Sequence, residues 1–94
     1  MKARLILDER HQIRPEAFVS LRVWHVPKPV RASRHDYKYA LAYIVSGVCV
    51  LRYDNEAGKG DHRHLGRAQF AYHFTSPERL LMDFWQDVDR WRPE

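Results

Sequence analysis

The sequence lacks the features that define secreted, disordered and membrane proteins. It has a single cysteine, Cys49, so an internal disulfide is excluded. It has no repeat or low-complexity stretch, and 45% of its residues are hydrophobic, which excludes a largely disordered chain. The longest apolar run, residues 39–45, is far shorter than the roughly 20 residues that a membrane-spanning helix needs. The N-terminus lacks the apolar core of a secretory signal, so we expect a cytoplasmic protein that does not associate with membranes.

The charge of the chain is moderately basic and unevenly distributed. Sixteen lysine and arginine residues against twelve aspartate and glutamate residues give a net charge of +4 and an isoelectric point of about 9.5. The excess lies in residues 1–35, and most basic residues are arginines, whose planar guanidinium suits bidentate contacts to phosphate. The length corresponds to a single domain over residues 1–94. We therefore expect one domain with a polyanionic partner such as RNA.

Two strands are predicted in the first third of the chain. Residues 2–8 alternate between apolar and polar side chains, whereas residues 8–15 are polar and turn-like. Residues 17–26 are rich in β-branched and aromatic side chains and stop at Pro27. A basic loop that contains Arg34 follows. One face of the second strand carries Val19, Leu21 and Val23, and the other carries Phe18, Trp24 and Val26.

The clearest local signal is a hairpin within residues 37–54, where two β-rich runs flank Ser46-Gly47. Glycine readily adopts the positive φ angle that a two-residue hairpin turn requires. Counting outward from this turn predicts that one face of the hairpin carries Tyr37, Tyr39, Tyr43, Arg52 and Asp54. The opposite face is almost entirely apolar, and we assign it to the core. It carries Ala40, Ala42, Ile44, Cys49, Leu51 and Tyr53.

The C-terminal part predicts a loop, a short strand and a helix. Residues 55–67 contain three glycines and no hydrophobic period, and residues 69–74 can form a last strand. The helix begins with either Thr75 or Ser76 as its N-cap, and Pro77 suits its first turn. Its apolar stripe carries Leu81, Phe84, Val88 and Trp91. The predicted fold class is therefore α+β, an antiparallel β-sheet of four to five strands with one C-terminal α-helix packed on one face.

Ionisable side chains concentrate between positions 52 and 64. They include Arg52, Asp54, Lys59, Asp61, His62, Arg63 and His64. His62 and His64 are two residues apart, so both imidazoles point the same way if the backbone is extended. One imidazole can act as a base and the other as an acid near neutral pH. With cations over the phosphate, such a pair is sufficient to cleave RNA at the 2′-hydroxyl without a metal ion.

Two other interpretations of this segment remain open. A divalent metal ion can be bound by His62 and His64 together with a carboxylate from Asp54 or Asp61. Alternatively, the segment is a polar surface loop that has a turn at Asp54 and solvated histidines. Cys49 is assigned to the core without a neighbouring histidine, so we do not expect it to act as a nucleophile.

Four motifs occur in the order found in a known family. They are Tyr37-Lys38-Tyr39, the Ser46-Gly47 turn, Arg52-Tyr53-Asp54-Asn55 and Asp61-His62-Arg63-His64. Together they resemble the TumE family of toxins from prokaryotic toxin-antitoxin systems, and the resemblance extends over nearly the whole chain. Many relatives have additional histidines after the Asp-Asn pair, where this chain has Glu56-Ala57-Gly58-Lys59. The resemblance implies a growth-inhibiting toxin neutralised by a cognate antitoxin, commonly a helix-turn-helix protein.

The residues and the resemblance together predict a toxin that is a metal-independent endoribonuclease, with no cofactor and no metal ligands. The predicted catalytic residues are His62 and His64 as base and acid, Asp54 to orient a histidine or arginine, and Arg52 to hold phosphate. The predicted substrate-binding residues are Tyr39, Lys59, Arg63 and Arg34. Two alternative functions are a non-catalytic inhibitor that binds RNA or the ribosome, and a nucleotidyl or phosphoryl transferase.

The resemblance also implies an interface with the antitoxin. Tyr37, Tyr39 and Tyr43 form a row on the face of the hairpin that was not assigned to the core. Aromatic and arginine side chains are enriched at binding hot spots. We therefore expect the antitoxin to cover this tyrosine row and the histidines, or else the basic N-terminal strands.

Overall fold

The protein is an antiparallel meander followed by one helix. A computed structural model describes residues 2–93. The elements are β1 (Arg4–Arg14), β2 (Ala17–His25), β3 (Tyr37–Val45), β4 (Val48–Asp54), β5 (His62–Leu65), β6 (Ala68–Ala71) and α1 (Pro77–Arg90). Each strand pairs with the next one in the chain, so the sheet order is β1-β2-β3-β4-β5-β6. The α+β class is confirmed, but the described chain has six strands where four to five were predicted.

The hairpin turn between β3 and β4 has the predicted position. Ser46 and Gly47 have φ angles of 49° and 80°. Two consecutive positive φ angles give a tight turn whose twist matches that of the flanking strands. Val45 pairs with Val48 across it. The glycine therefore serves the turn that the sequence predicted.

The first strand is longer than the sequence indicated. Residues 8–15 were expected to form a turn, but β1 continues to Arg14 and pairs with β2 along its length. β1 is the edge strand of the sheet, and nearly all of its side chains are exposed. An edge strand needs no apolar alternation to form its backbone hydrogen bonds, and polar side chains protect it from pairing with another chain. The hydrophobic period is therefore absent from much of this strand.

The opposite edge of the sheet also corrects the prediction. Residues 55–67 were expected to be a loop, but His62–Leu65 form β5, which pairs with both β4 and β6. The last strand is Ala68–Ala71, which is shorter than predicted and shifted towards the N-terminus. All four side chains of β6 are exposed. Neither short strand carries an apolar alternation that would have distinguished it from a loop.

Because of a β-bulge in the β3–β4 hairpin, the predicted face assignment is wrong for β3, whereas the predicted core positions of Leu51 and Tyr53 on β4 are confirmed. Tyr43 pairs with Leu51, where a regular register would have paired it with Val50. One extra residue on β4 shifts the remaining pairs by one position, and each such shift exchanges the faces. The buried face of the hairpin carries Tyr39, Leu41, Tyr43, Leu51 and Tyr53. The tyrosine row is therefore part of the core and does not form a surface for the antitoxin.

The opposite face of this hairpin, which includes Ala40, Ala42 and Ile44 that were assigned to the core, is the less buried one. Ala40 and Arg52 are exposed there, and Asp54 is partly exposed. Cys49, predicted to be in the core, is an exposed free cysteine. We refer to the sheet face that α1 does not cover as the open face.

The helix closes the core on the other face of the sheet. Ser76 is its N-cap and accepts a hydrogen bond from the backbone N–H of Arg79, with Pro77 in the first turn, as one of the two predicted registers requires. The core joins this helix to the middle strands through Ala17, Val19, Leu21, Val23, Tyr39, Leu41, Tyr43, Leu51, Tyr53, Leu80, Phe84 and Val88. Within residues 2–93, no helix has the length and apolar character needed to cross a membrane.

Candidate functional site

The pairing of β4 with β5 gathers four of the predicted site residues. Asp54 pairs with His62, and Arg52 pairs with His64. Paired residues point to the same side of a sheet, so all four side chains lie on the open face. We call Asp54, His62 and His64 the Asp-His-His cluster, beside which Arg52 lies. The two histidines have the extended backbone that was the condition for their side chains to point the same way.

His62 is the most buried member of the cluster, with 4% of its surface exposed. Its Nδ1 lies 2.9 Å from the backbone oxygen of Gly60, and its Nε2 lies 2.7 Å from Oδ1 of Asp54. Both ring nitrogens therefore face oxygen atoms. A carbonyl oxygen only accepts hydrogen bonds, so Nδ1 is the nitrogen that donates its N–H to Gly60.

Arg52 and His64 complete the electrostatics of the site. Nε of Arg52 lies 3.1 Å from Oδ2 of Asp54, and the arginine side chain is 47% exposed. The centroid of the His64 ring is 4.8 Å from that of His62, and the two rings are steeply inclined. Burial lowers the pKa of His64, and the nearby charges of His62 and Arg52 lower it further. His64 is therefore a neutral imidazole beside an exposed cation.

The Asp-His-His cluster has the donor set of a cation site. One carboxylate oxygen and one nitrogen from each histidine lie within 4.8 Å of one another. The carboxylate comes from Asp54 and not from Asp61, the other candidate from the sequence. Among the residues that the structure describes, Oδ1 of Asp54 and Nε2 of His64 are buried atoms without a hydrogen-bond partner. These three side chains are the ones that could hold a metal ion.

The loop before β5 positions His62 through its backbone. Gly60 has a φ angle of +74°, and a Cβ atom there would lie 3.1 Å from the backbone oxygen of Ala32. The left-handed conformation costs other residues about 1–2 kcal/mol. This glycine therefore sets the direction of the carbonyl group that Nδ1 of His62 contacts.

Gly60→Ala is expected to lower both stability and any activity of the cluster. Left-handed strain of about 1–2 kcal/mol should lower the melting temperature by several degrees in a domain of this size. The crowded Ala32 oxygen should also force the loop away from His62. Gly66→Ala is the matched control, because Gly66 has a φ angle of +60° but open space at its Cβ position. Thermal melts that show equal losses for the two variants would contradict the role of the Gly60 loop.

The other predicted substrate-binding residues lie at four different places. Lys59 is 64% exposed and pairs with Glu56, and its charge contributes to the lowered pKa of His64. Arg34 is exposed in the loop that follows β2. Arg63 donates a hydrogen bond to Asp87 of α1, so its guanidinium lies on the helix side of the sheet. Tyr39 is 1% exposed and is not available to stack on a base.

A second polar network lies at the N-terminal end of β3. Asp61 accepts hydrogen bonds from the hydroxyls of Ser33 and Tyr39, and its Oδ2 lies 2.6 Å from Nε2 of His35. Burial raises the pKa of Tyr39, and the bond to Asp61 raises it further. Asn55 accepts a hydrogen bond from the backbone N–H of Tyr39 and donates one to the carbonyl of Tyr37. The network joins the loop after β2 to the start of β5, so Asp61 and Asn55 serve the fold.

The open face extends from the cluster across the sheet. Pairing aligns Asp54 with Ala40 and Ala40 with Arg22, so a cation lies two strands away across a small side chain. Lys38 lies beside Trp24, with Nζ 6.0 Å from the ring centroid. The sequence placed Trp24 on the face of the second strand opposite Val19, Leu21 and Val23. It did not connect Trp24 with the cluster, because only the sheet register brings the strands together. The open face therefore combines exposed cations, an aromatic ring and the cluster.

Fold and site together define a small α+β protein with a dense group of aspartate, histidine and arginine side chains on one open sheet face. Over residues 2–92 the chain matches the family model described as Toxin TumE. Because this match covers nearly the whole chain, the protein belongs to the TumE toxin family, as the sequence motifs indicated. Comparison with curated proteins and with solved structures finds no match.

Proposed function

We propose that this toxin is a metal-independent endoribonuclease whose reactive centre is the Asp-His-His cluster with Arg52. The observation that carries the proposal is the pairing of Arg52 and His64, which puts a cation next to a neutral imidazole on an open surface. RNA cleavage needs a base for the 2′-hydroxyl, charge stabilisation at the phosphate and a proton for the leaving group. The cluster and the neighbouring Arg52 together provide a group for each requirement.

The proposed reaction is an internal transfer within RNA. His64 takes the proton of the 2′-hydroxyl, and the 2′-oxygen attacks the adjacent phosphorus. Arg52, exposed at 47%, neutralises the charge that develops on the phosphoryl oxygens. The pair of His62 and Asp54 returns a proton to the 5′-oxygen as the bond between phosphorus and that oxygen breaks. The products are a 2′,3′-cyclic phosphate and a 5′-hydroxyl.

The open face favours RNA as the substrate rather than a small anion. Phosphates repeat along a strand, and cations that recur across the sheet can follow them. Arg22 and Lys38 are exposed on neighbouring strands, and Trp24 provides an aromatic surface of the kind on which single-stranded bases stack. Ala40 lies between Arg22 and Asp54 in the sheet register, and its small side chain leaves room for the RNA strand.

The test is cleavage of a short RNA, and of DNA of the same sequence, by the purified protein in excess EDTA. We expect RNA products with cyclic phosphate ends and intact DNA, because the reaction needs the 2′-hydroxyl. The His62→Ala/His64→Ala double variant, with folding checked by circular dichroism, should give no products. Cleavage that disappears with EDTA, or that also occurs on DNA, would overturn the metal-independent mechanism.

A second candidate function, inhibition by binding alone, is favoured by the same open face. Its cations and aromatic ring can hold RNA or a ribosomal surface without any reaction. Growth inhibition by the double histidine variant separates the two candidates, since a binding inhibitor would remain toxic. Mass spectrometry of RNA and protein from poisoned cells would reveal an adduct if the toxin were instead a nucleotidyl or phosphoryl transferase.

The family implies an antitoxin partner. We propose that the antitoxin, a helix-turn-helix protein, covers the Asp-His-His cluster and the neighbouring cations of the open face. The support is charge and exposure, because Arg22, Lys38 and Arg52 are all exposed on this side of the sheet. An acidic surface on the antitoxin would match them.

A further inference from the structure

The Asp-His-His cluster contains two buried polar atoms that the protein itself leaves without hydrogen bonds. Within residues 2–93, these atoms are Oδ1 of Asp54 and Nε2 of His64. A buried polar atom without a partner costs about 1–3 kcal/mol, so such atoms are rare unless a ligand or water satisfies them. Both atoms belong to residues of the trio Asp54, His62 and His64, each of which places one donor atom within 4.8 Å of the other two. The buried atoms without hydrogen bonds therefore lie on side chains whose donor atoms converge.

The surroundings of His62 match those of a histidine that binds a metal ion. Its Nδ1 faces the backbone oxygen of Gly60 at 2.9 Å. A ligating histidine commonly donates its other ring N–H to a carbonyl or carboxylate, which fixes the ring and leaves the second nitrogen as a lone-pair donor. Here the second nitrogen, Nε2, lies 2.7 Å from Oδ1 of Asp54 without the alignment of a hydrogen bond.

We propose that Asp54, His62 and His64 bind one divalent ion of the late first transition series, for which Zn²⁺ is the representative. Two imidazoles and one carboxylate suit zinc, copper, nickel or cobalt, whereas magnesium and calcium prefer oxygen donors. Three protein ligands leave a coordination position for water or another small ligand. A pocket lined by Arg52, His64 and Gly66 borders the cluster at His64.

Metal binding has a consequence for the proposed reaction, and this consequence rests on the proposed function. An ion on Nε2 of His64 occupies the lone pair that would accept the proton of the 2′-hydroxyl. It also takes Nε2 of His62, through which Asp54 and His62 would supply a proton. Zn²⁺ is therefore expected to slow RNA cleavage, and EDTA is expected to restore it.

The binding itself is tested without RNA, so its outcome is independent of the proposed function. Protein freed of metal by chelation is titrated with ZnCl₂ by isothermal calorimetry, and the stoichiometry is read by native mass spectrometry. We expect one ion per chain, with much weaker or undetectable binding of MgCl₂. Asp54→Asn and His64→Ala should each lose the one-to-one complex. His73→Ala, which removes an exposed histidine outside the cluster, should keep it.

Two further measurements guard against misfolding as the cause of lost binding. Circular dichroism and melting curves identify any variant that fails to fold, and Asp54→Asn is nearly isosteric. Gly60→Ala displaces the loop that carries the carbonyl behind His62 and should weaken binding roughly 10- to 100-fold, as outer-shell changes do. The proposal is overturned if the native protein binds no Zn²⁺, or if folded Asp54→Asn and His64→Ala bind it as tightly as the native protein.

Discussion

His64→Ala is expected to lower the rate of RNA cleavage by on the order of 10²- to 10⁴-fold, the usual contribution of a positioned general base. The pKa of His64 is lowered by burial and by the charges of His62 and Arg52, so the ring is neutral and able to accept a proton at neutral pH. Alanine removes that acceptor and leaves Arg52 in place. Substrate binding should therefore change less than the rate does. Single-turnover cleavage of a short RNA, at saturating protein, measures the rate separately from the affinity.

The control for this variant is His73→Ala. His73 is exposed and lies between β6 and the helix, outside the Asp-His-His cluster. The His73→Ala variant lacks one histidine, as His64→Ala does. Its cleavage rate should stay close to that of the native protein. If folded His64→Ala retains a rate within tenfold of the native value, His64 is not the base.

Phe84→Ala is expected to lower the free energy of unfolding by about 3–5 kcal/mol, as large aromatic truncations in cores do. Phe84 is 0% exposed, and its ring meets that of Tyr53 edge to face at 5.7 Å between centroids. The total stability of a domain is only about 5–15 kcal/mol, so this loss should leave the variant partly unfolded at growth temperature. Urea unfolding followed by circular dichroism gives the difference.

Met82→Ala on the same helix is the control, because its side chain is 56% exposed. Surface substitutions of this kind usually change stability by no more than about 0.5 kcal/mol. Toxicity should follow stability in this pair, with Phe84→Ala inactive in cells and Met82→Ala active. Comparable unfolding midpoints for the two variants would show that α1 does not close the core as described.

Local signals predicted the elements whose formation depends on a few residues. Ser46-Gly47 marked its hairpin, and Ser76 with Pro77 marked the helix start, because each has a conformational or capping requirement that only some residues satisfy. β5 was missed because His62–Leu65 form a strand by pairing with β4 and β6, a long-range contribution without an apolar pattern. The second half of the edge strand β1, which was expected to form a turn, also lacks a hydrophobic period.

The faces of the β3–β4 hairpin were misassigned for two physical reasons. The bulge at Val50 leaves no mark in the sequence, yet it changes every pair beyond it. The hydroxyl groups of Tyr39 and Tyr43 favoured an exposed position, but both rings are buried while their hydroxyls bond to Asp61 and Arg14. Tyrosine buries a large ring provided that its hydroxyl finds a partner.

The candidate site was predicted in composition but not in arrangement. The density of ionisable residues and the spacing of His62 and His64 identified the segment. The same spacing did not separate Arg63 from its neighbours, although alternation along β5 turns it towards Asp87 of the helix. The choice of Asp54 over Asp61 as partner of the histidines required the register between β4 and β5.

The position of α1 at the end of the chain has a consequence for biosynthesis. Strands β1 to β6 can pair one after another as they leave the ribosome, because each needs only its predecessor. The apolar side of the sheet stays uncovered until Leu80, Phe84 and Val88 have also emerged. A nascent chain that stalls before Ser76 would therefore present this surface to chaperones and proteases. The sheet becomes a stable folded protein only when α1 has also been translated.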